Sequence, residues 1–537
     1  MKKVLIAIIF LAVAAFVCSI APNYFIEDTY TEDEVRVIVN NMEITHNDRK
    51  MPQVAKIVDG KVMLSQDTVD ILFDKWLYYD EKYDTLISTT DTNVAKLKLG
   101  ENKIQIGEED FEIEVPAQEI DGVKYIPIED LQDFYAITVV NNEKIVITTE
   151  DADYVSAVLG KKLRIRAYKK NFSRTVATAK VGEKIEVFDY KDPEWVLVRT
   201  STGDLGYARM NDIYAEDMAG SMPKITLPTP KVNLIWEYAE NYTPNRSGES
   251  KIDVIDVVAP TWIYLNGTEG NLKNTIDTSY ITWAHNNHYQ VWATFKNDSM
   301  GIENTSKVVT DMKVREKIVS GLINLCKTYN LDGINLDFEN MRKDDSEEFS
   351  QFVRELSAML RQNNITTSVD VTVPDGSDTW SLCYNRYEIA DVTDYLVVMT
   401  YDQYGSSSRV PGSTAELSWV ESNIKKLVER DGIKAEKIVL GIPLYSRLWW
   451  VRNEKLSTSA ISMDRAISYL EKGAKWDDEA GQYYVEYQDG NTTYMLWVED
   501  ENAINEKLGL IEKYDLAGAA YWRMGYETED FWKKIKE

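Results

Sequence analysis

The sequence predicts a multidomain protein in which a C-terminal (β/α)8 TIM barrel follows a small all-β barrel and an α+β N-terminal domain. Three observations support this prediction. The chain of 537 residues is too long for one ordinary hydrophobic core. Its hydrophobic period changes twice along the sequence, which marks three regions of different structure. The last region alternates apolar strands with amphipathic helices until eight strands have been formed.

The chain opens with a predicted export segment. Lys2 and Lys3 precede an uncharged, almost wholly apolar run over residues 4–21. The run is long enough to span a bilayer, and Pro22 follows its one small-x-small site, which disfavours cleavage. Residues 1–22 are therefore predicted to be a signal anchor or a cleaved signal peptide, with the uncleaved anchor preferred. Either form places the rest of the chain outside the cytoplasm, anchored to the membrane or secreted to the cell wall.

Residues 34–150 contain short alternating stretches that predict strands, with a weak internal repeat. A strand pattern over 59–65 with a helical pattern behind it is echoed over 121–131. The second copy, in which Ile126-Pro127-Ile128 leads into a helix and a closing strand, resembles the copper amine oxidase N-terminal-like domain of bacterial exported proteins. That resemblance implies no copper, and the sequence shows no cluster of metal ligands here.

Residues 155–216 are rich in turns and predict an all-β fold, with strand patterns at 163–166, 184–188 and 195–198. Together with the return at Gly206-Tyr207-Ala208, they resemble a bacterial Src-homology-3-type β-barrel. The resemblance implies a module that holds cell-wall peptide or glycan, and a rigid spacer is the equally weighted alternative. Three prolines, at positions 223, 228 and 230, predict an extended linker over 217–230.

Residues 231–537 are predicted to form the (β/α)8 barrel. A helical pattern near Ser346 places its apolar residues on a single stripe. An extra, partly β segment over 449–497 is expected to form one wall of a cleft. The eight predicted strands are 233–236, 255–258, 289–293, 333–336, 367–371, 395–399, 437–441 and 517–521.

The fourth of these strands carries the chemistry. Alternate residues of a strand share a face, so Asn335, Asp337 and Glu339 are predicted to point into the barrel. Catalytic residues of such barrels lie at the carboxyl ends of the strands, where Glu339 falls. Carboxylates on a solvent-exposed edge strand are the alternative, which the apolar residues between them disfavour.

The run Asp332-Gly333-Ile334-Asn335-Leu336-Asp337-Phe338-Glu339 resembles the strand-four signature of glycoside hydrolase family 18. Other features of that family follow in order: Met399-Thr400-Tyr401-Asp402, then Gly441-Ile442-Pro443-Leu444-Tyr445, then Tyr521-Trp522. The resemblance implies a retaining glycosidase in which the 2-acetamido oxygen of the substrate is the nucleophile.

By this resemblance Glu339 is the general acid, and Asp337, which raises its pKa by like-charge repulsion, orients the acetamido group. Tyr401 is expected to hydrogen-bond the acetamido oxygen and Trp522 to form an apolar floor for the sugar. Asn335, Asp402, Tyr404, Tyr445 and Trp522 are the predicted substrate-binding residues. Trp236, Trp262 and Trp449 are lesser candidates for stacking on sugar, with packing as the alternative.

Two departures from the family pattern affect the substrate. Asn335 stands where the family usually has an acid, which removes a group that could share a proton with Asp337. Asn340 follows the acid, and this form is more similar to the spore-cortex and cell-wall N-acetylglucosaminidase branch than to chitinases. Peptidoglycan is therefore the preferred substrate, with a chitinase acting on chitin oligomers and a lectin-like carbohydrate-binding protein as the alternatives.

Composition excludes several other functions. The formal charge of −28 repels phosphate backbones, so nucleic acid is not an expected partner. Only 3 histidines and 3 cysteines are present, so neither a metal site nor a disulfide framework is predicted, and no cofactor is expected. The predicted partners are a polysaccharide that contains N-acetylglucosamine, the cell wall through the small β-barrel, and the membrane through the N-terminal segment.

Overall fold

A computed structural model of the protein describes residues 36–44, 54–141, 144–192, 194–213, 215–220, 231–297 and 300–535. The predicted signal segment, residues 1–22, lies outside these ranges. Among the described residues, no helix has the length and apolar character needed to cross a membrane. The chain divides into two compact units, and the second of them contains all described residues from Lys231 onward.

The first unit begins with three small sheets and short helices. The predicted internal repeat is confirmed as two strand-then-helix segments whose strands pair antiparallel, with Tyr125 opposite Ser65. Each copy buries apolar residues, such as Val62, Leu64 and Ile126, in a shared core. The strands are Val37–Val39, Met42–Ile44, Ala55–Val58, Lys61–Ser65, Tyr78–Asp80, Thr85–Thr89, Val94–Lys98, Lys103–Ile106, Glu109–Glu112, Gln118–Ile120, Val123–Pro127, Ile137–Asn141 and Ile145–Thr149, and the helices are Gln66–Leu72, Ile128–Leu131 and Gln132–Tyr135.

The rest of the first unit is a seven-stranded antiparallel sheet with one short 3-10 turn, Met210–Asp212. Its last strand extends to Gly220, four residues into the predicted linker 217–230, because it pairs with the strand Val155–Leu159. That linker boundary was therefore placed too early. The strands are Val155–Leu159, Leu163–Arg166, Thr175–Ala179, Lys184–Phe188, Trp195–Thr200, Leu205–Arg209 and Ala215–Gly220.

Arg199 joins the two parts of the first unit. Its guanidinium is almost fully buried and bonds Glu186 Oε2 at 2.5 Å within the seven-stranded sheet. The same group donates to the carbonyl of Asn40 at 2.8 Å and to the Thr148 hydroxyl at 2.5 Å in the preceding sheets. Five donors in a fixed fork make arginine suited to such a junction.

The second unit is built around a closed barrel of eight parallel strands, which confirms the predicted strand set. The first strand pairs with both the second and the eighth, so the sheet closes on itself. Gly518 permits this closure, because a Cβ atom there would lie 1.8 Å from the Val232 carbonyl oxygen. The barrel strands, first to eighth, are Val232–Glu237, Val257–Pro260, Gln290–Lys296, Gly333–Asp337, Thr366–Thr372, Tyr395–Met399, Ile438–Pro443 and Gly518–Trp522.

Helices cover the barrel, and the longer ones bury apolar residues. The predicted stripe near Ser346 is confirmed in the helix Ser346–Gln362, where Phe349, Phe352 and Leu356 are fully buried. Shorter turns are Lys343–Asp345, Lys426–Arg430, Ala435–Lys437 and Leu470–Lys472. The helices are Thr278–Asn286, Ile302–Val309, Met312–Tyr329, Ser346–Gln362, Arg386–Val392, Leu417–Lys425, Met463–Ile467, Glu501–Tyr514 and Phe531–Lys534.

Two β structures are inserted between elements of the barrel. A hairpin, Ile263–Leu265 with Leu272–Asn274, follows the second strand. A five-stranded antiparallel sheet lies between the seventh and eighth strands, where the extra β segment was predicted. It begins four residues earlier than expected, directly after the seventh strand. Its strands are Tyr445–Arg452, Lys455–Ser462, Lys475–Asp477, Gln482–Asp489 and Thr492–Val498.

Candidate active site

The fourth barrel strand divides its residues between two faces, as its alternation predicts. Leu336 and Phe338 are fully buried on the outer face, where the Phe338 ring lies 5.9 Å from the Phe352 ring of a covering helix. Asn335 and Asp337 lie on the inner face. Asp337 comes at the carboxyl end of the strand, so the barrel directs its carboxylate toward the rim.

A cavity of about 190 Å³ opens at this rim. It collects side chains from the ends of six barrel strands and from the loops that follow them. Asp337, Glu339, Tyr401, Asp402, Tyr445 and Trp522, all predicted from the sequence, meet here. The lining residues are Trp236, Lys296, Asp337, Glu339, Asp370, Thr372, Trp380, Met399, Tyr401, Asp402, Tyr445 and Trp522.

Asn335 lies beneath the cavity and is fully buried. Its amide oxygen accepts from the Trp236 indole N–H at 2.9 Å and from the Thr294 hydroxyl at 3.2 Å. Its amide nitrogen donates to Ser368 Oγ at 3.0 Å and to Asp370 Oδ1 at 2.7 Å. Because the indole can only donate, the orientation of the amide is fixed. Asn335 therefore organises the barrel interior, and the predicted contact with substrate is not seen in the cavity lining.

Charged groups of both signs surround Asp337. Lys296 Nζ, at the end of the third strand, lies 3.7 Å from Asp337 Oδ2 and 3.8 Å from Glu240 Oε1. Asp370, on the fifth strand, lines the same cavity and is only 2% exposed. Burial, and then the charge of Asp337, raise the pKa of Asp370 well above its usual value. The site thus holds several carboxyl groups and one nearby ammonium.

The backbone of Glu339 is held in place although its side chain reaches the cavity. The Glu339 N–H donates to Asn297 Oδ1 at 2.9 Å, and Asn297 Nδ2 donates back to the Glu339 carbonyl at 2.8 Å. One residue earlier, the Phe338 carbonyl accepts from the Tyr384 hydroxyl at 2.7 Å. Asn340 follows in the left-handed conformation, with φ of 54°, which turns the chain away from the rim.

Tyr401 comes two residues after the sixth strand and is buried beside the acidic group. Burial raises the pKa of its phenol well above the ordinary value, and the charges of Tyr445, Asp370 and Asp337 act in the same direction. The hydroxyl therefore stays protonated and can donate a hydrogen bond. The Tyr401 ring lies 6.4 Å from the Tyr445 ring in an edge-on arrangement.

Asp402 presents its carboxylate to the cavity from a left-handed backbone position, with φ of 56°. The Tyr445 hydroxyl donates to Asp402 Oδ1 at 2.7 Å, and Arg447 approaches the same oxygen at 3.3 Å. Burial, reinforced by Asp402, raises the pKa of Tyr445 well above its usual value, so it remains a donor. A carboxylate fixed by two donors keeps its second oxygen for a ligand.

Aromatic residues form the floor and one side of the cavity. Trp522, at the end of the eighth strand, is half-buried, and its ring centroid lies 5.8 Å from that of Trp236 in an edge-on pair. Trp262 and Trp449, lesser candidates for stacking on sugar, are fully buried and bond Thr243 and the Gly412 carbonyl. They belong to the core.

Tyr404 does not reach the cavity, in contrast to the sequence prediction. The turn after Asp402 folds back, so that the Tyr404 N–H bonds the Ser413 carbonyl at 3.3 Å. Its ring lies so close to Gly412 that a Cβ atom there would be 2.2 Å from it. The Tyr404 ring therefore packs against the backbone at Gly412.

Four residues of the site were missed in the sequence: Lys296, Asp370, Thr372 and Trp380. Asp370 lies in a predicted strand, and Lys296 and Thr372 lie one to three residues beyond one, at the ends of the observed strands; an inward polar residue late in a strand is the signal that identifies them. Trp380 lies in the turn region after the fifth strand, where no periodic pattern exists. Among the described residues, no group of three or more His, Cys, Asp or Glu side chains could hold a metal ion.

A closed parallel barrel with an acid pair and an aromatic floor at its carboxyl rim defines the class of carbohydrate-cleaving barrel enzymes. Comparison with known families identifies the family within this class. Residues 231–527 match the family described as Glycosyl hydrolases family 18. The chain belongs to this family and is a glycosyl hydrolase.

Three relatives illustrate the similarity. The uncharacterized glycosylase YvbX of Bacillus subtilis (strain 168) is 30% identical over 281 residues, 50% of this chain and 80% of that protein. The cortical fragment-lytic enzyme of the same organism is 25% identical over 240 residues, 43% of this chain and 55% of that protein. The crystal structure of the spore cortex-lytic enzyme SleL of Bacillus megaterium QM B1551 has a TM-score of 0.51 at 20% identity, covering 60% of this chain and 78% of that one. The last similarity supports the fold alone.

Proposed function

We propose that this glycosyl hydrolase cleaves β-1,4 bonds of N-acetylglucosamine in peptidoglycan, by a retaining mechanism in which the substrate supplies the nucleophile. One observation carries the proposal: Asp337, Glu339 and Tyr401 line a single cavity whose floor includes Trp522. The cavity is smaller than the roughly 300–1,000 Å³ of pockets that enclose whole ligands. It therefore suits one sugar ring of a longer glycan.

Each residue has a defined part in this mechanism. Glu339 gives its proton to the glycosidic oxygen as the bond to the anomeric carbon breaks. The 2-acetamido oxygen of the sugar that carries this anomeric carbon forms the new bond to it. The N–H of the same acetamido group donates a hydrogen bond to the Asp337 carboxylate. Tyr401, protonated in its buried position, donates to the acetamido oxygen. Water then opens the cyclic intermediate, with Glu339 as the base, and the anomeric configuration is retained.

Peptidoglycan is favoured over chitin by two observations. The run from Asn335 to Asn340 has the form typical of cell-wall N-acetylglucosaminidases. One similar protein, 25% identical to this chain, is named a cortical fragment-lytic enzyme. The predicted export segment, residues 1–22, and the Src-homology-3-type module, residues 155–216, support a location at the cell wall, anchored to the membrane or secreted. In this proposal, the module that resembles the Src-homology-3 type is the part that holds wall polymer.

Mass spectrometry of digested peptidoglycan tests this proposal. The full chain is expected to release fragments whose new reducing end is N-acetylglucosamine. Glu339→Gln should abolish release, whereas Glu436→Gln, the same change at an exposed turn before the seventh strand, should not alter it. Release of N-acetylmuramic acid ends, or cleavage of chitin oligomers without cleavage of peptidoglycan, would contradict the substrate assignment.

A further inference from the structure

We propose that Asp370 is a positioning residue of this site, which holds a proton at neutral pH and donates it in a hydrogen bond to the Asp337 carboxylate. Asp370 thereby supplies the carboxylic acid that the family usually has at the position of Asn335. The inference rests on the proposed mechanism, in which Asp337 must act as a carboxylate toward the acetamido N–H.

Asn335 itself cannot exchange a proton with Asp337. Its amide oxygen already accepts two hydrogen bonds, from Trp236 and Thr294. Its two amide hydrogens are donated to Ser368 and Asp370. An amide offers two acceptor sites and two donors, so all four are used. A carboxylic acid that donates a hydrogen bond to Asp337 must therefore come from another strand.

Asp370 is in position to be that partner. In the parallel pairing of the fourth and fifth strands, Asn335 lies opposite Ser368 and Leu336 opposite Val369. The next step along both strands brings Asp337 and Asp370 together on the inner face. Asp370 is almost fully buried, lines the same cavity, and receives the Asn335 N–H on Oδ1 at 2.7 Å. Its Oδ2 is then the atom that carries the proton.

The surrounding charges favour one proton on the pair. Asp337 and Glu339 face Asp370 from the fourth strand, Lys296 faces it from the third, and Tyr401 from the loop after the sixth. Lys296 is the cation among these groups, and its Nζ lies 3.7 Å from Asp337 Oδ2. Two adjacent buried carboxyl groups do not both ionise, because their mutual repulsion is unscreened. Asp337 therefore holds the negative charge and Asp370 the proton.

Two substitutions at Asp370 separate this role from a structural one. Asp370→Asn keeps a neutral, hydrogen-bonding group of the same shape, so kcat at neutral pH should stay within about threefold of the wild type. Asp370→Leu removes the donor that stabilises the Asp337 carboxylate, which raises the pKa of Asp337. The acidic limb of the kcat profile should then move up by about one pH unit, with kcat about tenfold lower there and KM little changed. Ser368→Ala, which removes the other acceptor of Asn335, should leave the limb where it is.

Infrared difference spectra of the full chain test the protonation state without any substrate. The spectrum of the wild type minus that of Asp370→Asn should show the band of a protonated carboxylic acid at neutral pH. Absence of that band would overturn the proposal. It would also be overturned if kcat of Asp370→Asn fell as far as that of Asp370→Leu, because a neutral donor at this position would then be insufficient. An inactive wild type would instead refute the proposed function, while the infrared result still decides the state of Asp370.

Discussion

Asn297 offers a sharp test of how the barrel positions the general acid. Its side chain is 4% exposed and makes both hydrogen bonds that hold the Glu339 backbone, at 2.9 and 2.8 Å. It also donates to Thr305 Oγ1 at 3.1 Å. Asn297→Ala removes all three bonds at about 1 kcal/mol each, so the free energy of unfolding should fall by about 3 kcal/mol.

Asn297→Ala should also impair catalysis, separately from its effect on folding. A displacement of the acid by about 1 Å is enough to lower kcat roughly 100-fold. Asn423→Ala is the matched control, because Asn423 is 2% exposed and its side chain donates to the Trp419 carbonyl, away from the cavity. Denaturant unfolding and steady-state kinetics of both variants are the assays. If Asn297→Ala lowered stability but left kcat equal to that of Asn423→Ala, the proposed positioning of Glu339 would be refuted.

Three further predictions follow from the buried polar groups. Tyr401→Phe should lower kcat about 100-fold by removing a donor to the acetamido oxygen, whereas Tyr404→Phe should match the wild type in the same kinetic assay; equal losses would contradict the placement of Tyr404. Burial raises the pKa of Glu499 from 4.5 to about 7. Because the folded protein binds this proton more tightly than the unfolded chain, the free energy of unfolding should fall by about 3 kcal/mol as the pH rises from the unfolded pKa through the folded pKa. Denaturant unfolding of Glu499→Gln/Lys507→Met should lack this decline, and an unchanged pH dependence would exclude Glu499 as its source. Arg199→Met should destabilise the first unit by at least about 3 kcal/mol, because several buried acceptors lose a charged donor; calorimetry should show the second unit melting unchanged, and a shift of both transitions would count against this assignment.

The barrel could be predicted because its signal is local. Several strands, such as Tyr395–Met399 and Ile438–Pro443, are apolar runs, and the helix stripe that includes Phe349 and Phe352 repeats at the helical period. The inward direction of Asp337 follows from alternation along a single strand. Such patterns need no knowledge of which strands are neighbours.

The remaining features depend on neighbours that the sequence does not reveal. Asp370 lies in a predicted strand, but the role proposed for it depends on the register of that strand, which sets Val369 opposite Leu336. Tyr404 lies close to Asp402 in sequence, yet a backbone turn carries it to Gly412. The strand that ends at Gly220 resembles linker in composition and forms because a partner strand is available.

In the proposed mechanism the acetamido group of the substrate is the nucleophile. This role is tested most directly by measuring which anomer is formed first and whether cleavage requires the N-acetyl groups. Proton NMR of the first product formed by the full chain from an N-acetylglucosamine oligomer should show the β anomer. The matching oligomer without N-acetyl groups should not be cleaved. A first product in the α configuration, or equal cleavage of both oligomers, would contradict the roles assigned to Asp337, Glu339 and Tyr401.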